Sequence, residues 1–189
     1  MKYSTSFRIW HWLNAIVILG LIGTVLLRKT FLSWRTNSEL IMLELSKIDI
    51  SITSEQAKVI AKAIRSGMWE WHYILGYALV ALVFFRIYLY FKDNSKKESF
   101  SSLDMHKKAV RISYYIVYAT ILFMALSGFT MYFYESLGLA KETAHSIKEI
   151  HELVYNILLY FVPLHIIGVF VAENRDEKGI VSTMINGKS

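Results

Sequence analysis

The chain has 189 residues, a formal net charge of +6 and a hydrophobic fraction of 54%, a length that fits one domain over residues 1–189. With one Pro and a mean hydropathy of +0.37 it is neither disordered nor collagen-like, and the absence of Cys excludes disulfides, thiolate zinc sites, iron–sulfur clusters and covalently attached c-type haem. The basic residues flank long apolar runs and form no single polar face, which argues for a membrane orientation signal and against nucleic acid as a partner.

The first apolar run, about residues 9–27, is long enough to cross a bilayer as a helix. It carries His11 and Asn14 and lacks a small-residue cleavage site, so it reads as a permanent span and not as a signal peptide. An insert of mixed character follows over 28–67. Within it Thr53-Ser54-Glu55-Gln56 has the form of a capping box, Ala57, Ile60, Ala61 and Ile64 recur at helical spacing, and Gly67 is placed to end the helix. A short helix on the outer face of the membrane is expected, either a docking site for a partner or a plain cover over the bundle end. Three further spans are expected at about 68–91, 109–133 and 150–172, whose acidic residues, Glu70 and Glu152, lie near their ends. The predicted fold is all-α, an integral-membrane four-helix bundle with one short extracytoplasmic helix between the first two spans.

Trp10, Trp12, Trp69 and Trp71 stand at the starts of the first two spans, where headgroup-level indoles are favoured. Orientation follows from the connecting segments. Between the second and third spans lie Lys92, Lys96, Lys97, Lys107, Lys108 and Arg111; between the third and fourth lie only Lys141 and Lys148. The positive-inside rule therefore places the 92–111 loop and both termini in the cytoplasm, although the seven basic residues of the 28–67 insert weaken the contrast.

Six histidines remain to be explained, because ionisable groups within a bilayer are expensive and usually have a task. His106 and His145 fall in connecting segments and read as solvated side chains. His11, His72, His151 and His165 lie in or at the edges of spans. The fourteen residues from His151 to His165 bring both rings to within about 40° of one helix face, about 21 Å apart along the axis. By depth, His11 is level with His165 near the inner side, and His72 with His151 near the outer side. Two bis-histidine pairs result, each drawn from two helices, the arrangement that a six-coordinate iron macrocycle needs. Zinc would want four ligands together. Gly76 and Gly168, one turn beyond His72 and His165, could clear room for a porphyrin edge, and helix packing explains them equally well. Arg86 shares the His72 face at the depth of the inner pair; a propionate partner and snorkelling to headgroups are both open to it.

These stretches resemble the bacterial four-helix dihaem cytochrome b superfamily, which includes prokaryotic cytochrome b561, the b-type subunit of nickel–iron hydrogenases and the gamma subunit of formate dehydrogenases. The resemblance rests on Arg8-Ile-Trp-His-Trp-Leu-Asn14, on Trp71-His-Tyr-Ile-Leu-Gly-Tyr77 with Arg86, on Ser127-Gly128, and on His151-Glu152 with His165. It implies two haem b groups, an inner one between His11 and His165 and an outer one between His72 and His151. It also implies electron transfer between the quinone pool and a redox partner, such as an extracytoplasmic dehydrogenase, reductase or cytochrome c subunit, in the bacterial inner membrane. Quinone would bind near His165 and Asn14, where the Asn14 amide could meet a quinone carbonyl or simply bond another helix. A homodimer is left open. Two rival readings are a stand-alone quinone-linked oxidoreductase acting on a small oxidant such as superoxide, and a haem-free membrane anchor or assembly factor.

Overall fold

The computed structural model describes residues 3–92, 99–175 and 177–187. The basic residues Lys96 and Lys97 of the expected inner loop lie outside the described residues. Six helices follow in order: α1 (Thr5–Lys29), α2 (Trp34–Ser46), α3 (Ser54–Lys92), α4 (Met105–Tyr132), α5 (Lys141–Asn174) and α6 (Ile180–Asn186). Among the described residues there is no strand. Each of the four expected spans coincides with one long helix, α1, α3, α4 or α5, the third running one residue past the end of α4.

Local chemistry sets the helix starts. The Ser4 hydroxyl accepts a hydrogen bond from the Phe7 amide at 3.3 Å, and the Asp104 carboxylate accepts one from the Lys107 amide at 2.8 Å. The capping box before α3 forms as its sequence suggests. The Thr53 amide donates to the Gln56 side chain at 2.8 Å, and the Gln56 amide donates to the Thr53 hydroxyl at 3.3 Å.

Gly67 does not end that helix. It sits inside the 39 residues of α3, so the segment expected as a separate short helix is the first part of the second span's own helix. A glycine stop requires a left-handed residue, and Gly67 has no positive φ. A single interior Gly costs only about 1 kcal/mol, and Ala57, Lys58, Ala61, Lys62, Ala63 and Arg65 before it are good helix formers. At 1.5 Å per residue α3 is about 58 Å long, roughly twice the hydrocarbon thickness, so one end must project from the bilayer. The separate helix between the spans is instead α2. Its Trp34 ring meets the cationic ends of Lys58 and Lys62, at 5.2 and 5.8 Å, from the projecting part of α3.

By its internal contacts the chain divides into two compact units, Met1–Asn14 with Leu79–Ser189, and Ala15–Ala78. In the first, α4 packs against α5 and α5 against α6. The short α6 is secured by α5: both Glu173 carboxylate oxygens accept backbone N–H groups, from Gly179 at 2.9 Å and Val181 at 3.0 Å. It is also joined to α1, where the Arg8 guanidinium and the Trp12 indole N–H donate to the Ile185 and Met184 carbonyls, each at 3.2 Å. In the second unit Ala57 and Ala61 are fully buried, and Gly20 lies so close to Leu75 that an added Cβ would stand 2.8 Å from its Cδ1.

The spans turn apolar side chains outward. Ile16 is 63% exposed, Phe84 68%, Leu164 65% and Phe170 70%. Such surface is hard to reconcile with water and is what a helix presents to lipid tails. The chain is a multi-pass membrane protein.

Candidate functional site

In the first unit α1 and α5 bring His11 and His165 together. Their ring centroids are 6.2 Å apart and the ring planes cross at 61°. Each ring has an aromatic neighbour on its own helix: Phe161, one turn before His165, stacks on it at 5.4 Å and 17°, and Trp12 meets His11 edge-on at 5.5 Å. The indole N–H of Trp10 donates to the Leu82 carbonyl at 2.9 Å, which ties α1 to α3 one residue away from His11.

The spacing can be tested against haem iron. An imidazole nitrogen binds a transition metal at about 2.0 Å and lies roughly 1.1 Å from its ring centre, so trans ligands on one metal have centroids about 6.2 Å apart. The two rings stand at that separation, the spacing that two imidazoles sharing one iron would need. A tetrahedral metal is not served: among the described residues no three His, Cys, Asp or Glu side chains converge.

Other expected residues lie in the same unit. Asn14, on α1 one turn beyond His11, is 7% exposed, and its Oδ1 has no hydrogen-bond partner among the described residues. The Arg86 guanidinium is enclosed by the faces of Phe7, Trp10 and Tyr118 at 5.1–5.3 Å. One of its terminal nitrogens donates to the Tyr118 hydroxyl at 3.3 Å, while Nε has no hydrogen-bond partner among the described residues. At Gly168 an added Cβ would meet nothing within 4 Å, so no close neighbour accounts for the missing side chain.

His151 lies on the same helix as His165, and α5 is continuous between them although Pro163 interrupts its hydrogen-bond ladder. The His151 Nδ1 lies 2.7 Å from the Ser127 hydroxyl of α4. His72 belongs to the second unit, where its Nδ1 lies 2.7 Å from the Thr24 hydroxyl of α1. Gly76, one turn further along α3, again has open space beside it. His106 is exposed, and His145 is an exposed side chain 3.4 Å from Glu149, both as expected of solvated histidines.

Thr24 and Phe161 went unnoticed in the sequence, and Ser127 was only part of a matched dipeptide. Phe161 could have been found from its i, i+4 spacing to His165. The hydroxyls carry a weaker signal, a small polar residue within an apolar span, and many such residues only bond their own helix.

The prokaryotic cytochrome b561 family model matches residues 2–187. No curated protein and no solved structure matches the chain. The family match takes in all six helices, so the chain belongs to the prokaryotic cytochrome b561 family and is a b-type cytochrome of the membrane that carries electrons.

Proposed function

We propose that this cytochrome holds two haem b groups and passes electrons between the quinone pool and an extracytoplasmic redox partner, across the bacterial cytoplasmic membrane. The observation that carries the reading is the meeting of His11 and His165, from distant parts of the sequence, at a spacing that two imidazoles sharing one iron would need. That pair is assigned to the inner haem. His72 and His151 are assigned to the outer one on the depths of their positions in the sequence.

When bound, haem b supplies one-electron chemistry at its iron, tuned by its ligands and their surroundings. The chain's own side chains bind and orient. His11 and His165 offer a nitrogen each from separate helices, and Phe161 restrains the second ring by stacking. Arg86 is half-buried against its aromatic neighbours, and its planar fork, with a partnerless Nε, would suit a carboxylate such as a haem propionate. Gly76 and Gly168 leave room beside their helices. Asn14 offers an amide N–H that could meet a quinone carbonyl and an Oδ1, without a partner among the described residues, that could meet a quinol hydroxyl. Electrons would enter or leave beside the inner pair.

The test is the haem content of a His165→Leu variant in detergent, counted as pyridine haemochrome. The reading expects one haem per chain in place of two. Retention of two contradicts the ligand assignment.

A further inference from the structure

Two histidines in different units share one arrangement of three atoms. Thr24 Oγ1 stands 2.7 Å from His72 Nδ1 and 2.7 Å from the carbonyl oxygen of Leu21, one turn back on its own helix. Ser127 Oγ stands 2.7 Å from His151 Nδ1 and 2.6 Å from the carbonyl oxygen of Phe123. Thr24 is 7% exposed and Ser127 5%, so neither hydroxyl is left to water or headgroups.

A hydroxyl has one hydrogen to give. In each case the carbonyl is a pure acceptor, and a hydroxyl at 2.6–2.7 Å from it must place its hydrogen between the two oxygens. Were that hydrogen turned to the imidazole, two lone-pair-bearing oxygens would face each other at hydrogen-bond distance with nothing between them. The hydroxyl oxygen is therefore the acceptor toward Nδ1, and the imidazole nitrogen must be the donor. A neutral imidazole with its hydrogen on Nδ1 carries its lone pair on Nε2, the form that ligates a metal through Nε2.

We infer that Thr24 and Ser127 are positioning residues, each fixing the tautomer and ring orientation in which His72 and His151 present Nε2 to iron. The inference rests on the reading of those two histidines as axial ligands. Among the described residues no hydroxyl is bonded in this way to His11 or His165, so the two ligand pairs are electronically unlike. An acceptor on Nδ1–H makes an imidazole a stronger donor, which favours ferric iron and lowers the potential. A haem held by His72 or His151 would thus have a potential set partly by a hydroxyl, and one held by His11 and His165 would not.

The experiment is a spectroscopic redox titration of the detergent-purified holoprotein, with ferric low-spin signals recorded by electron paramagnetic resonance. The variants are Thr24→Val, Ser127→Ala and the hydroxyl-keeping pair Thr24→Ser and Ser127→Thr. His72→Leu first identifies which midpoint belongs to the His72 haem. In Thr24→Val and Ser127→Ala that midpoint is expected to rise, its low-spin signal to shift, and the other haem to stay unchanged. Thr24→Ser is expected to restore both readings. Loss of that one haem in Thr24→Val, recovered in Thr24→Ser, supports the same role. Unchanged midpoints and signals in Thr24→Val and Ser127→Ala overturn the inference, as does a shift confined to the other haem. Loss of both haems that Thr24→Ser does not recover also overturns it. The underlying ligand assignment fails separately, if His72→Leu and His151→Leu remove different haems or none.

Discussion

The imidazoles of His11 and His165 lie 6.2 Å apart between centroids although the residues are 154 positions apart in the sequence. Two rings that share one metal act as a unit, so removing either should have the same consequence as removing both. His11→Leu, His165→Leu and the double variant are each expected to hold one haem per chain, with superimposable reduced spectra. A double variant with fewer haems than either single one would show that the two rings serve different groups.

Arg86 is held by three aromatic faces, and only a planar guanidinium can stack on them while its Nε stays available. Arg86→Lys keeps the charge and loses that geometry. It is expected to lower unfolding free energy by about 1 kcal/mol, the order of a partly desolvated cation–π contact. Thermal unfolding in detergent should show the fall, and Arg86→Lys should not behave as the wild-type protein does.

At the other end of the chain Glu173 gathers two backbone N–H groups at the start of α6. Glu173→Ala removes both acceptors and should loosen the start of α6. The loss is local. Residues 179–187 should exchange their amides faster and be cleaved sooner by protease, while haem content is unaffected.

Asp104 supplies a pH dependence. Its hydrogen bond from the Lys107 amide, aided by the nearby Lys107 and His106 charges, holds its carboxyl below the ordinary aspartate value. The folded value is thus the lower one, so the stabilisation of the α4 start is complete above the unfolded value of about 3.9 and is lost as pH falls through the folded one. Hydrogen exchange at the Lys107 amide should lose its protection below about pH 4. Asp104→Asn retains an acceptor oxygen without a titration, and should remove that pH dependence.

Much of this was legible in the sequence. The four spans were, because about twenty predominantly apolar residues leave little choice of structure. So was the Thr53–Gln56 capping box, whose two bonds are local. Gly67 misled because glycine marks a helix end only when the chain beyond it turns away, and here the helix continues into the second span. The seven-residue α6 was invisible because it depends on Glu173, Arg8 and Trp12 and not on its own propensity. At the site, the spacing of His151 and His165 along one helix could be read from residue numbers. Which hydroxyl reaches Nδ1 of His72 or His151 could not, since that depends on the rotation of neighbouring helices.

The central claim is that one chain binds two haem b groups, and a reduced-minus-oxidised visible spectrum with a pyridine haemochrome count tests it most directly. Purified protein expressed with ample haem is expected to show b-type bands and two haems per chain. One haem per chain would contradict the assignment of one histidine pair, and none would contradict the account as a whole.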